Sequence, residues 1–459
     1  MLSDAHPRKL IRAALLATVI LLYGCATYHP LPLGKGAGAA SAAQLRVPAS
    51  TMPVPELAAH RFDPADGLDV TEVAMLAVTN SPELKVQRDA LGIARAQAFA
   101  AGLLPDPQLS LGEDLPHNSG GGLTKAYSLG LSEDVSALLL RSSRRHAAKA
   151  RTDQVNLDLL WAEWQTIAQA RLLFDQVQSL RAQQIELDAE VRALTPVAQA
   201  VQAALAAGNL DYDSASAGLD AMADARQRAG ANALALHQAE SDLRQLLGLA
   251  PMAPLELVGA PYAVDPDTTQ LAAALADLPK RRPDLLALQA GYRAQEATLR
   301  GAILAQFPAI TVGLARARDT SNITTNGFSI GLTLPLFDRN RGNIAIETAT
   351  RQQLKDDYDA RLLATRNDMQ RLAADLATLE RQQTAQAAHA QHLDAARDAA
   401  EQAWKQGLLD WPTYLAIRGN ALTADADLVV LRQARSTAAI ALEALLGRTD
   451  FVMPQASKR

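Results

Sequence analysis

The sequence has little cysteine, few aromatic residues and no strong excess of one charge. A single cysteine among 459 residues excludes a disulfide framework and a zinc site built from several thiolates. Aromatic residues make up only 4% while hydrophobic residues reach 49%, so much of the apolar content is alanine, which favours helix. A single-chain porin would need aromatic girdles and many alternating strands. The net charge of −5 gives no electrostatic footprint for nucleic acid.

Motifs of enzyme chemistry are also missing from the sequence. It contains no G-x-S-x-G nucleophile motif, no H-E-x-x-H zinc motif and no Walker loop. Residues 34–43 mimic the spacing of a dinucleotide-binding loop, but their small, low-complexity composition is typical of a linker. His389 and His392 are spaced as i and i+3 and could share a metal, but no carboxylate or thiol lies between them, which favours a solvated helix face. We therefore predict no enzyme activity, no cofactor and no resident metal.

The N-terminus has the layout of an export signal. Basic residues precede an apolar stretch at 13–23, which is too short to span a bilayer. The only cysteine, Cys25, follows this stretch after Gly24, an arrangement that resembles a bacterial lipoprotein signal. We expect residues 1–24 to be removed and Cys25 to carry acyl chains, palmitate among them, that anchor it in the outer membrane. The alternative is an ordinary signal peptide with a chance cysteine.

Five short motifs occur twice, in the same order and about 200 residues apart, as expected of a repeat architecture. Chance similarity between alanine-rich helices would not keep the prolines and glycines in register, so the pattern indicates an internal duplication. The motif pairs are 81–84 with 282–285, 107–112 with 308–313, 128–131 with 329–332, 208–211 with 407–410, and 246–248 with 445–447. The predicted segments are a lipid-anchored linker at 25–67, a first copy at 68–260, a second copy at 261–450 and a tail at 451–459.

Each copy follows one plan: a helix, a β-hairpin, a long helix, a glycine-containing turn and a third helix. Apolar seams with a 3.5-residue period indicate knobs-into-holes packing, and each long helix would extend ~100 Å. Pro196 is expected to kink the first long helix. The expected bounds are 71–103, 107–135 and 142–207 in the first copy, and 283–306 after a short helix, 308–337 and 340–406 in the second.

In the predicted hairpins, apolar residues recur at every second position. In residues 328–334, Phe, Ile and Leu alternate with Ser, Gly and Thr, so each strand has one apolar face and one small or polar face. Two interpretations stay open. The hairpins either cover the end of a helical bundle or span a membrane with their apolar face toward lipid.

Membrane-spanning strands would require an oligomer. Four strands from one chain cannot close a barrel, and open strand edges are not tolerated in lipid because their backbone groups stay unsatisfied. Two chains would supply about 8 strands and three chains about 12, both within the known range of barrels. The alternation alone does not choose between these numbers.

The combined motifs resemble the TolC family of outer-membrane efflux proteins over about residues 68–450. The resemblance rests on Cys25 in its signal, the two copies, N-S-P-E-L at 80–84, R-R-P-D-L at 281–285 and S-I-G-L-T-L-P-L-F-D-R-N-R-G-N at 329–343. It implies a mainly α fold with a small β part. Three chains would share a transmembrane β-barrel, with four strands from each, and a long α-helical barrel extending into the periplasm.

The resemblance also implies partners and a cargo. A homotrimer in outer-membrane lipid would dock a periplasmic membrane-fusion adaptor and an inner-membrane pump. The residues at 336–343 and 105–107 are similar to the heavy-metal branch, whose pumps are of the resistance-nodulation-division type. The expected function is a passive exit duct for heavy-metal cations. The alternatives are a duct of the same fold for drugs, small organics or secreted proteins, and a periplasmic coiled-coil lipoprotein that is not a channel.

The resemblance places the two glycine turns at the periplasmic tip. Gly208, Asp211, Gly407 and Asp410 are therefore candidate adaptor contacts. Threefold repetition of carboxylates would form acidic rings that attract cations, and the candidates for such lumen acids are Asp213, Asp220 and Asp224. Helix capping and solvated helix faces are the alternative explanation for these acids.

Overall fold

The computed structural model describes residues 27–34, 36, 38–49, 52–117, 122–260, 262 and 271–446. The expected signal peptide, Cys25 and the tail at 451–459 lie outside the described residues. The chain forms two compact units, residues 1–38 and residues 39–459. In the first unit the described residues have no helix or strand, and the account below concerns the second unit.

The second unit contains the duplicated plan that the sequence predicts. A helix, a hairpin, a long helix and a closing helix occur twice in the same order, which confirms the mainly α fold with a small β part. Helix α1 (Pro55–Ala59) precedes the first copy, whose elements are α2 (Val70–Asn80), α3 (Pro82–Ala100), β1 (Gln108–Asp114), β2 (Ala126–Asp134), α4 (Ser136–Ala206) and α5 (Tyr212–Leu246). In the second copy they are α6 (Leu271–Arg281), α7 (Pro283–Leu304), β3 (Ala309–Arg318), β4 (Thr324–Thr333), α8 (Arg341–Lys405) and α9 (Trp411–Leu446).

The first helix differs from the expectation of one helix over residues 71–103. It is broken into α2 and α3, because Pro82 lacks an N–H and disfavours helical geometry in the residue before it. Ser81 caps the new start, and its Oγ accepts a hydrogen bond from the Leu84 N–H at 3.5 Å. The short helix expected only before α7 is therefore present in both copies.

The long helices dominate the unit. α4 has 71 residues and α8 has 65, and at ~1.5 Å per residue both reach roughly 100 Å. α4 begins at Ser136, six residues before the predicted start, and the Asp134 carboxylate accepts a hydrogen bond from the Ser136 N–H at 2.9 Å. Pro196 lies within the continuous α4, and the kink expected there stays a prediction. Among the described helices, none has a stretch long and apolar enough to cross a bilayer.

The four strands form one antiparallel sheet in the order β1-β2-β3-β4. Leu131 lies opposite both Leu109 on β1 and Leu314 on β3, and Leu314 lies opposite Phe328 on β4. The two hairpins are thus joined edge to edge in matching register. Within the described chain, β1 and β4 each keep one edge without a strand partner.

The largest hydrophobic cluster joins the N-terminal segment to α2, α4 and α5 of the first copy. Leu57, Met75, Phe174 and Leu243 are fully buried there. Residues 25–67 were expected to form a linker, but from Ala39 onward they pack with the first copy. The Ala39 N–H donates to the Gly248 carbonyl at 3.1 Å, and the Ala250 N–H returns to the Ala39 carbonyl at 2.8 Å.

Candidate functional site

One face of the sheet is apolar and open to the surroundings. The exposed fraction is 76% for Leu111, 62% for Leu314 and 66% for Phe328. Neighbouring apolar side chains on this face are also exposed, and they are Leu109, Tyr127, Leu129, Leu131, Ile330 and Leu332. An exposed apolar patch that spans several strands marks a protein or membrane interface.

The opposite face carries almost only small or polar side chains. Glycines lie opposite serines across the strands, as in Gly112 with Ser128 and Gly313 with Ser329. A Cβ atom on Gly112 would lie 2.5 Å from the Ser128 Oγ, so the Ser128 hydroxyl would have to rotate to accept a larger residue there. One apolar and one small polar face is the two-sided pattern of strands in a transmembrane barrel.

Charged residues lie on the apolar face where the strands meet the hairpin loops. Glu113, Lys125, Arg316 and Arg318 share this end, and Tyr127 lies opposite Arg318. The Lys125 Nζ is 3.1 Å from a Glu113 carboxylate oxygen. The structure therefore places Glu113 at the rim of the sheet, on the apolar side, and Asp114 on the small face.

The motif at 336–343 forms the turn from β4 into α8. Arg339 and Asn340 have φ of 48° and 54°, an uncommon backbone conformation that ends the extended chain before α8 starts. The Asn340 Nδ2 donates to the Ala302 carbonyl at 2.8 Å, and an Arg341 guanidinium N–H donates to the Phe337 carbonyl at 3.0 Å. This stretch thus positions the sheet on the helices.

Two glycine turns lie at the other ends of the long helices. Gly208 and Gly407 both have φ of 71°, the left-handed conformation that glycine adopts without strain. The Asn209 N–H donates to the Ala204 carbonyl at 2.9 Å, and the Leu408 N–H donates to the Ala403 carbonyl at 2.9 Å. A hydrophobic cluster of residues from both copies, including Leu194, Met222, Tyr414 and Leu415, places the two turns at one tip.

The acidic residues at the turns have different surroundings. The Asp410 carboxylate accepts a hydrogen bond from the Thr413 N–H at 2.8 Å, and this contact lowers the pKa of Asp410. Helix capping therefore accounts for Asp410. Asp211 is exposed, and its backbone carbonyl accepts the Ala215 N–H at 3.0 Å.

The three candidate lumen acids lie on α5. Asp220 is exposed, and Asp224 is exposed but paired with the Arg228 Nε at 2.8 Å. This ion pair cancels the charge that Asp224 would bring to an acidic ring. The side chain of Asp213 lies outside the described residues.

A polar contact that sequence reasoning missed joins the two copies near the tip. The Arg418 Nε on α9 lies 2.8 Å from both carboxylate oxygens of Glu190 on α4. A second Arg418 nitrogen donates to the Tyr414 hydroxyl at 2.8 Å, and the Tyr414 ring stacks on Trp404 with ring centroids 4.9 Å apart. The hydrogen bond to Glu190 raises the pKa of Arg418.

One group of side chains has the geometry of a metal site, but its carboxylates already accept backbone hydrogen bonds. His60, Asp69 and Glu72 are the only such cluster in the part of the chain that the structure describes. The Asp69 carboxylate caps α2 by accepting the Thr71 N–H at 2.8 Å, and both Glu72 oxygens accept backbone N–H groups. The capping box of α2 explains this cluster.

The comparisons with known proteins agree with this geometry. Residues 274–448 match the family model for outer membrane efflux proteins. The chain is 28% identical to Protein CyaE of Bordetella pertussis over 72% of each chain. Its fold is similar to that of CusC, a transmembrane channel, with a TM-score of 0.68, 19% identity and coverage of 86% of this chain and 97% of CusC.

The outer-membrane channel CmeC of Campylobacter jejuni is also similar. Its TM-score is 0.70 at 14% identity, over 82% of this chain and 85% of CmeC. The family model covers most of the second copy. The chain therefore has the fold of these outer-membrane channels, and its residues 274–448 match the outer membrane efflux protein family.

Proposed function

We propose that three copies of this chain form a passive exit duct in the outer membrane, anchored by acylated Cys25. Each chain contributes four strands to a shared barrel of about 12 strands. The helices extend into the periplasm, where the turns at Gly208 and Gly407 dock a membrane-fusion adaptor. An inner-membrane pump of the resistance-nodulation-division type supplies the energy.

The exposed apolar face and the two free edges of the sheet carry this proposal. A four-stranded sheet in lipid leaves the outer edges of β1 and β4 unsatisfied, which costs several kcal/mol for each backbone group. Pairing β4 of one copy with β1 of the next removes both edges at once. The small face of the sheet then lines the lumen, and the apolar face contacts lipid.

The contact between Glu190 and Arg418 supports a gate at the tip. It ties α9 of the second copy to α4 of the first where the helix pairs end. Opening would require these pairs to move relative to one another, as in other transitions where packed helices shift. Loss of the ion pair would favour the open arrangement.

Heavy-metal cations are the cargo that we propose. The motif at 336–343 supports this choice through its similarity to the heavy-metal branch. Deletion of the gene should then sensitise cells to copper, zinc or cobalt. Sensitivity to drugs alone, or a secretion defect, would favour the other cargoes of the same fold.

Ion conduction tests the duct itself. The purified full-length chain, added to a planar lipid bilayer, should give discrete current steps of uniform size. A matched sample in which Phe328→Asp and Ile330→Asp place charges on the apolar face should insert poorly, because charges on a lipid face are costly. Absence of current from the unmodified chain would contradict the channel function.

A further inference from the structure

The apolar face of the sheet has a basic end. Arg316 and Arg318 lie two residues apart on β3 and point to the same face as Leu314. They follow Leu314 toward the hairpin loops, with Arg316 opposite Leu129 and Arg318 opposite Tyr127, so they lie at the loop end of the apolar band. Lys125 is on the same face and end, but Glu113 neutralises it at 3.1 Å. The face therefore carries an excess of two positive charges at this end.

These two arginines have no partner among the described residues. Neither forms a hydrogen bond or ion pair there, and the Nε of Arg318 is buried without an acceptor. Their cross-strand neighbours are Leu129, Tyr127, Asn326 and Thr324, none of which carries a negative charge. Both guanidinium groups thus remain available to an anion from outside the chain.

The fold determines which side of the membrane this end faces. The other ends of β1 to β4 connect directly to α3, α4, α7 and the turn before α8. If the helices lie in the periplasm, the loops after Asp114 and Arg318 face the cell exterior. The arginines then lie at the headgroup level of the outer leaflet, where long basic side chains reach the interface.

We propose that Arg316 and Arg318 bind the phosphate groups of a phosphorylated glycolipid in the outer leaflet, with Tyr127 beside them. The guanidinium fork matches phosphate in a bidentate geometry, and an anion removes the cost of an unpaired charge beside lipid. The Tyr127 ring offers an amphipathic surface at the same level. This inference rests on the proposed function, since it needs the apolar face to contact lipid.

Binding to purified trimers in mild detergent tests the inference, with diphosphoryl lipid A as the probe. The unmodified protein should bind it at least about tenfold more tightly than the Arg316→Gln/Arg318→Gln variant. It should also bind the dephosphorylated glycolipid about tenfold more weakly. The double variant Arg293→Gln/Arg366→Gln removes the same charge from exposed helix positions and should bind like the unmodified protein.

Three results would overturn the proposal. They are equal binding by the Arg316/Arg318 variant, equal binding of the dephosphorylated glycolipid, and displacement by millimolar inorganic phosphate, which would indicate a site for free phosphate. Arg316→Lys/Arg318→Lys should restore part of the binding and shows that the sheet still folds. If the unmodified trimer conducts ions but fails these tests, only the glycolipid site is wrong. If it does not conduct, the channel function is wrong.

Discussion

The two copies have the same order of elements but stabilise the junction between their first two helices differently. In the first copy, Ser81 caps α3 and the adjoining α2 is buried under the N-terminal segment. In the second, Arg282 stands in the place of Ser81 and is only 1% exposed. It makes a bidentate pair with Asp284 at 2.9 and 2.7 Å and lies 4.6 Å above the Trp161 ring.

The difference shows that one backbone plan tolerates two kinds of core. The first copy is stabilised by the burial of aliphatic side chains, and this contribution does not depend on the orientation of the contacting groups. The second copy also buries aliphatic side chains such as Leu278 and Leu285, and adds an ion pair whose Asp284 carboxylate also accepts from the Arg361 Nε at 2.8 Å. Such a network is sensitive to the loss of any member, because the remaining charge is left buried.

Substitutions at the matched positions should separate the two cores most clearly. Arg282→Leu removes one of the two arginines that neutralise the buried Asp284 carboxylate. It should lower the free energy of unfolding by about 3 kcal/mol. Ser81→Ala removes one capping hydrogen bond and should cost about 1 kcal/mol. Thermal denaturation of the detergent-solubilised protein measures both. Equal shifts in melting temperature would show that the junctions are energetically alike.

The tips offer a second comparison. Arg418 on α9 corresponds to Leu219 on α5 under the offset of the two turns, so only the second copy has the contact to Glu190. Arg418→Leu removes it and should raise the ion conductance several-fold by favouring an open tip. The control is Lys405→Leu, which breaks an exposed pair with Glu401 within α8 worth at most about 0.5 kcal/mol. If Arg418→Leu leaves the conductance unchanged, the ion pair between Glu190 and Arg418 does not help to close the tip.

The pH dependence of stability should have opposite signs at Asp284 in the second copy and at Glu163 in the first. Burial alone would raise the pKa of Asp284, but hydrogen bonds and charge from Arg282 and Arg361 lower it overall. The stability that Asp284 contributes is therefore present above its unfolded pKa of 3.8 and is lost as pH falls through the folded value. Burial raises the pKa of Glu163 in the first copy, against the opposing effect of Arg88. Glu163 therefore costs stability as pH rises through its folded pKa.

Melting temperatures between pH 3 and pH 7 check these signs. The unmodified protein should melt at a higher temperature than Asp284→Asn, by a margin that grows with pH. The melting temperature of Glu163→Gln should rise relative to that of the unmodified protein as pH increases. The same slope for both pairs would contradict the assignment of their pKa directions.

The duplication and the hairpins could be predicted because they repeat local signals. Prolines, glycines and period-two alternation recur at fixed offsets, and each acts within a few residues. The break at Ser81 was missed although Pro82 marks it, because the apolar periodicity continues across the junction. The contact between Glu190 and Arg418 joins residues 228 positions apart and has no motif, so only the packing of α4 against α9 reveals it. The burial of Val54 and Leu57 was missed because these short apolar groups have no helical period.

The number of chains in the membrane complex tests the central claim most directly. We predict that native mass spectrometry of the protein, released from mild detergent, gives the mass of three chains. A folded single chain with its strands intact would contradict the account, because β1 and β4 would then tolerate free edges without neighbouring copies.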